Sequence, residues 1–269
     1  MKVNKKPIVF LLGPTASGKT EWAINWQSQF EDFEIISVDS VMVYKECNVG
    51  SAKPSKFILK KHPHHLVNYV SLNRIFSVAD FYQAAIKLIE NIHSQNKIPL
   101  MVGGSMMYFN LLKNGLSALP SANESLRKDL ETRMLKEGIE VLYADLKKLD
   151  PKAAQTIKPK DSQRIIRAIE VITLTGMTIN ANLLSIKPSK LKDKYKLIEF
   201  GIFPEKRSEL HKRIEARQGE LVGERLLEEI NHIKSNLNIS AAHPAMKAIN
   251  YRQGLNVIEG KLEKSKLFE

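Results

Sequence analysis

The chain of 269 residues is 43% hydrophobic and 26% charged, a globular mix that fits one large domain or two smaller ones and excludes a disordered chain. Its 41 Lys and Arg against 29 Asp and Glu leave a formal charge of +12, which favours an anionic partner (nucleic acid, acidic lipid or a phosphorylated metabolite) or a lysine-rich solvated surface. One cysteine, Cys47, excludes an internal disulfide framework and suits a reducing cytosol, where it is expected to be a packing residue.

The N-terminal lysines and the apolar run at residues 8–12 look like a secretory signal, but Gly13-Pro14 cuts the run too short for one. No stretch approaches the roughly 20 apolar residues of a membrane span, so a cytoplasmic chain without a membrane partner is expected. Residues 8–12 read instead as a strand buried on both faces of a parallel sheet. After the Gly-rich turn, Trp22, Ala23, Trp26 and Phe30 recur at helical spacing. A second strand, residues 34–38, ends at Asp39-Ser40. Residues 78–93 form an amphipathic helix with Phe81, Ala85, Leu88, Ile89 and Ile92 on one face, and Ser77 with Asp80 form a capping pair at its start. A third strand, residues 98–102, runs into Gly103-Gly104-Ser105, and the helix after it closes at Gly115. Alternating strands and helices make this part α/β with a parallel sheet.

From Pro120 to about Lys187 the periodicity is helical only, over 123–137, 139–148 and 161–175. A last strand is predicted at 197–203, and helices at 205–217 and 223–236. The expected organisation is an α/β core, residues 1–118 and 197–269, interrupted by an all-helical insertion, 119–196. Met101, Met106 and Met107 are expected to fill the core beside the sheet. His62, His64 and His65 cluster without a second ligand set, so they are expected to support the core or a binding face rather than a metal.

GPTASGKT, residues 13–20, matches G-x-x-x-x-G-K-[ST] between a buried strand and an amphipathic helix, the context in which such a loop cradles phosphate. Backbone N–H groups face the anion, Lys19 reaches its terminal phosphate, and Thr20 is placed to ligate Mg²⁺. Read alone, the loop suggests a P-loop kinase of a small metabolite, with Asp39 gripping the acceptor. Against that, the third strand ends in Val-Gly-Gly-Ser instead of the Asp that holds Mg²⁺ in many NTPases.

Set beside DSVMVYKECNVGSAKPS (39–55), HHL (64–66), ADF (79–81), VGGSMMYF (102–109), LPSA (119–122), DSQRIIRAIEV (161–171), TGMT (175–178) and INYRQ (249–253), the loop is one member of an ordered set. Across nearly the whole chain this set resembles the tRNA dimethylallyltransferase family. The resemblance implies a P-loop-kinase-like core with a helical insertion that grips the anticodon stem. It implies transfer of the dimethylallyl group from dimethylallyl diphosphate to N6 of adenosine 37, with Mg²⁺ present and tRNA carrying A36-A37-A38 as acceptor, by a monomer. Gly13, Pro14, Thr15, Ala16, Ser17, Gly18, Lys19, Thr20 and Arg217 would then hold the diphosphate as a leaving group. Asp39 would take the amine proton, with the Ser105 hydroxyl nearby.

On the same resemblance, tRNA contacts fall to Asp39, Ser40, Val41, Met42, Ser105 and Arg127. They continue through Gln163, Arg164, Ile165, Ile166 and Arg167, then Lys247, Ala248, Ile249, Asn250, Tyr251 and Arg252. Read from periodicity alone, Ile165, Ile166 and Ile169 pack inward, and the arginines beside them could be a plain solvated helix face. Three positions depart from the family pattern. Val41-Met42 stand where it often has Arg-Gln, and Lys158 and Lys160 replace a His and an Asn. Asn250 replaces a Gly, a substitution that suits a positive φ. The family usually continues some tens of residues further, which leaves a tRNA-binding remnant with impaired catalysis as an alternative beside the metabolite kinase.

Overall fold

The apolar runs fold as strands. In the computed structural model, which describes residues 5–116, 119–185 and 190–267, five strands form one sheet. They are β1 (Pro7–Leu12), β2 (Phe33–Val38), β3 (His64–His65), β4 (Ile98–Gly103) and β5 (Lys196–Gly201), in the order β3-β2-β4-β1-β5 with every pairing parallel. Central β1 pairs Val9 with Leu100 and Leu11 with Val102 on one side, and Pro7 with Lys196 and Leu12 with Gly201 on the other. Alternate residues serve opposite faces, as the pleat requires. Ile8, Phe10, Ile36 and Met101 enter the larger core, while Val9, Leu11, Ile35, Leu100 and Val102 form a smaller one with Ala23.

The chain divides into two compact units, Met1–Lys113 with Lys190–Glu269, and Asn114–Ser189. In the first unit the sheet carries α1 (Lys19–Gln29), α2 (Lys56–Lys61), α3 (Val78–Ser94) and α4 (Met106–Asn114), the last ending at the unit boundary. Helix α3 starts with the expected capping box: the Ser77 hydroxyl accepts from Asp80 N, and Asp80 accepts from Ser77 N. Helices α5 (Glu124–Glu137), α6 (Ile139–Leu149), α7 (Pro151–Thr156), α8 (Ser162–Thr175) and α9 (Ile179–Ser185) make up the described part of the second unit. Its core gathers Leu130, Leu142, Leu146, Ile165, Ile166 and Ile169. The chain returns to the first unit through α10 (Leu191–Lys194), and α11 (Arg207–Leu221), α12 (Glu224–Leu237) and α13 (Tyr251–Ile258) complete it. No helix among the described residues is long and apolar enough to cross a membrane.

The structure differs from the sequence-based expectation in several places. Residues 190–196 go with the first unit and not with the insertion, because Leu191 and Tyr195 are buried in that unit's core. Met106 and Met107 are 54% and 60% exposed: they lie in the first turn of α4, whose inner face is Tyr108, Phe109 and Leu112. The histidines serve as local ties. His65 pairs with Glu34 at 2.6 Å, His62 bonds Gln27, and His64 bonds the His62 carbonyl. Between α1 and the exposed strand β5, an apolar groove is lined by Trp26, Phe30, Phe33, Ile198 and Phe200.

Candidate active site

A parallel sheet sends every strand's C-terminal end the same way, and loops there are where α/β folds hold ligands. The Gly-rich loop, residues 13–20, leaves β1 at that end. A side chain at Gly13 would strike the Ile202 carbonyl at 2.5 Å, so the loop start lies tight against the exit of β5. Ala16 (φ +61) and Gly18 (φ +88) turn the backbone left-handed, and Ser17 N donates to Pro14 O at 3.3 Å. No side chain caps α1, and its first internal bond runs from Trp22 N to Gly18 O, which leaves the preceding amides to face an anion. The Lys19 ammonium curls back over this turn, donating to Pro14 O at 2.5 Å and to Ser17 Oγ at 3.4 Å.

Asp39 leaves the end of β2. Its Oδ1 accepts from Val41 N (2.8 Å) and Met42 N (3.0 Å), an Asx turn that fixes the loop. Its Oδ2 has no hydrogen-bond partner among the described residues. Lys19, Arg217 and Asp39 share one electrostatic neighbourhood. Burial, helped by the Arg217 charge and opposed by Asp39, pushes the Lys19 ammonium down to about 8. Burial likewise lowers Arg217, again against Asp39. Two half-buried cations that repel each other beside one carboxylate are arranged to receive a compact polyanion.

Lys53 belongs to this neighbourhood and was not singled out in the sequence. Its ammonium donates to Tyr44 O (2.7 Å), Asn68 Oδ1 (2.8 Å) and Asn48 Oδ1 (3.3 Å), stapling three loop segments. Burial lowers it to about 8 against the fields of Cys47, Glu229, Glu46 and Asp39. Its only sequence signal was its place in the SAKPS string. Ser105 is half-buried at the start of α4, where its carbonyl accepts from Tyr108 N and Phe109 N. Its hydroxyl bonds neither Asp39 nor any other described residue.

Comparison with known proteins decides the family. A model described as IPP transferase matches residues 42–269, well over half of the chain. A tRNA dimethylallyltransferase of Vesicomyosocius okutanii is 41% identical over all of this chain and 86% of its own length. One from Legionella pneumophila (strain Corby) is 42% identical over 95% of this chain and 80% of its own. The chain belongs to the IPP transferase family. The crystal structure of a tRNA isopentenylpyrophosphate transferase from Bacillus halodurans is similar with a TM-score of 0.64 at 30% identity, over 98% of this chain and 81% of that one. A eukaryotic dimethylallyltransferase acting on tRNA shares the fold at a TM-score of 0.77 and 24% identity, over 98% of this chain and 66% of that one.

Membership in the IPP transferase family sharpens how the remaining predicted contacts are read. Ile165 and Ile166 are buried in the helical unit's core, so their side chains are packing groups and not RNA contacts, as their periodicity implied. Tyr251 is fully buried, its hydroxyl donating to Glu229 at 2.6 Å, which removes its ring from any RNA surface. Asn250 has φ +73, the backbone its replacement of Gly anticipated, and its side chain donates to Gly50 O. Ser40, Lys247, Ile249, Arg252 and Gln163 are exposed, while Val41, Met42 and Ala248 are half-buried.

Among the insertion's arginines, Arg164 is the freest: its side chain is 74% exposed and paired with Asp161 alone. Arg127 and Arg167 both bind Glu170, which is itself fully buried, at 3.0 and 2.6 Å. Burial opposes ionisation of Glu170, but bonds from Arg127, Arg167 and Asn123 N outweigh it and hold the carboxyl below its usual 4.5. Its stabilising share is therefore complete above pH 4.5 and lost as pH falls from there through the lower folded value. Glu170→Ala removes the bonds to two guanidinium groups and to the Asn123 amide, leaving Arg167 its bond to the Pro120 carbonyl. It is expected to destabilise the chain by about 2–4 kcal/mol, read as a lower urea midpoint at pH 7 and a smaller deficit near pH 3.

No group of three or more His, Cys, Asp or Glu side chains gathers for a metal among the described residues. The Thr20 hydroxyl, exposed in the first turn of α1, is a hard oxygen donor. One such donor is too few for an all-protein cage and suits Mg²⁺ held mainly through a bound diphosphate.

Proposed function

We propose that the chain transfers the dimethylallyl group of dimethylallyl diphosphate to N6 of adenosine 37 in tRNA, releasing diphosphate. What carries this reading is the cluster of Lys19, Arg217 and Asp39: two cations for a leaving anion, and beside them a carboxylate with one oxygen uncommitted. The N6 amine attacks C1 of the donor, the C1–O bond breaks, and its electron pair leaves with the diphosphate. As the new C–N bond forms, the amine becomes acidic and Asp39 Oδ2 takes its proton. The loop amides and the Lys19 and Arg217 charges stabilise the diphosphate where negative charge develops. Thr20 would help hold Mg²⁺, which would supply further neutralisation of that leaving group.

Adenosine 37 is stacked in the anticodon loop, so it must be extruded to reach Asp39. Exposed Lys158, Lys160 and Arg164 of the helical unit are suited to phosphate contacts that position the RNA without reading its sequence. A role on tRNA fits a cytoplasmic chain. Incubating the chain with Mg²⁺, labelled dimethylallyl diphosphate and unmodified tRNA carrying A36-A37-A38 tests the proposal. Label must appear on A37 and vanish when that base is changed to G. Tight tRNA binding without label would leave only an RNA-binding remnant, and phosphate transfer from ATP to a metabolite would reinstate a kinase.

Diphosphate binding should also depend on pH through Lys19. Only the protonated ammonium attracts the anion, so affinity for inorganic diphosphate is expected to fall as pH rises through about 8. Calorimetric titration between pH 7 and 9 reads this directly. Lys19→Met should bind weakly and lack that inflection, since the ligand's own ionisation is common to both proteins.

A further inference from the structure

The loop at 48–53, the motif at 249–253 and helix α12 meet in one knot whose hub is Glu229, a residue outside every sequence motif. Its carboxylate accepts from three consecutive amides, Asn48 N (3.0 Å), Val49 N (2.8 Å) and Gly50 N (3.2 Å), and from the buried Tyr251 hydroxyl (2.6 Å). The loop lies flat on the tyrosine: a side chain at Gly50 would strike the Tyr251 ring at 2.7 Å. Asn250 completes the clamp, its Nδ2 donating to Gly50 O at 2.9 Å. Both the N–H edge and a carbonyl of this loop are thus held by residues some two hundred positions away.

Past the clamp, the loop hands its geometry to the site. Ala52 adopts φ +52, and its carbonyl accepts from Arg217 Nη2 at 3.4 Å. Lys53 follows, stapled to the Tyr44 carbonyl and to Asn68. Arg217 sits on a helix without a buried residue, so packing of α11 alone does little to aim its side chain. The Ala52 carbonyl is its hydrogen-bond partner among the described residues.

We propose that Glu229 is a positioning residue for the transfer reaction: with Tyr251 it sets the 48–52 loop, whose Ala52 carbonyl aims Arg217 at the diphosphate of the donor. This rests on the reading that Lys19 and Arg217 hold a diphosphate. Glu229→Gln keeps the shape but turns an NH₂ toward groups that are all donors. Tyr251→Phe keeps the ring on Gly50 and removes only the hydroxyl, with its bonds to Glu229 and Cys47.

The test is titration of the whole chain with inorganic diphosphate and Mg²⁺, with and without Arg217→Ala, alongside KM for each substrate. Glu229→Gln is expected to weaken diphosphate binding about 10-fold and Tyr251→Phe about 3-fold. In the Arg217→Ala background the same changes should cost less than about 2-fold, because residues acting through one group are not additive. KM for dimethylallyl diphosphate should rise in step, with KM for tRNA unchanged. Equal losses with and without Arg217, or a parallel rise in both KM values, would reduce Glu229 to a general fold contact and overturn the proposal. If Glu229→Gln does not fold, Tyr251→Phe carries the same comparison by itself. A wild-type chain that fails to bind inorganic diphosphate would instead remove the diphosphate reading, and the role of Glu229 with it.

Discussion

Asp39→Asn is expected to lower kcat by about 10²–10⁴-fold while KM for tRNA stays within about 2-fold. The choice of asparagine matters, because Asp39 has two duties that its two oxygens divide. Oδ1 accepts from the Val41 and Met42 amides and shapes the turn, and an asparagine carbonyl takes over both bonds. Oδ2 is the atom left to accept the N6 proton, and an amide nitrogen in its place cannot. Alanine would remove both functions and confound a lost base with a loosened loop. The Asp39 charge also supports protonation of Lys19, so the variant's Lys19 pKa should fall below about 8. Kinetics therefore belong at pH 7 or lower, where Lys19 stays charged in both proteins. Near-normal single-turnover transfer by Asp39→Asn would leave Asp39 as a turn residue and no more.

The second large effect is expected on the leaving group. Removing either cation that faces a developing anion in a water-poor site costs about 10²–10³-fold in rate, so Lys19→Ala and Arg217→Ala should each fall in that range. The two are distinguishable by pH. Arg217 is one of the causes that lower Lys19, so Arg217→Ala should move the inflection in diphosphate binding above about 8. Lys19→Ala has no such inflection to move. Measured over pH 7 to 9, an Arg217→Ala inflection that stays where it was would show that the two charges do not share a site. Both variants should bind tRNA normally, since neither residue is among the expected tRNA contacts.

Much of this architecture was legible because local and global signals agreed. The strand, Gly-rich turn and helix around residues 13–20 fold as the motif's context predicts, and the Ser77–Asp80 pair marks the start of α3 in a pattern that depends on neighbours alone. The isoleucines of α8 showed their burial through period, and the structure sides with that signal over their assignment to RNA. What stayed hidden depends on contacts far apart in sequence. Nothing near Glu229 announces that it will gather three amides of a loop about 180 residues earlier. Lys53 lies inside a recognisable string, yet its role follows from carbonyl and amide partners that only the fold brings together. Tyr251 was placed among the RNA contacts by the family resemblance alone. Its burial against Gly50 is a tertiary fact. The six-residue α7 and the four-residue α10 were missed because helices this short show hardly any period, although Asp150 followed by Pro151 is a cap-and-start signal in hindsight.

The central claim is that this phosphate loop holds a leaving group whose carbon–oxygen bond breaks, and that no phosphoryl group moves. Dimethylallyl diphosphate carrying a heavy oxygen isotope at the bridging position, incubated with the chain, Mg²⁺ and unmodified tRNA, tests it most directly. Mass spectrometry should find the heavy oxygen in the released diphosphate and the dimethylallyl group on adenosine 37. Heavy oxygen retained on the five-carbon fragment, or a phosphoryl group on any acceptor, would contradict it.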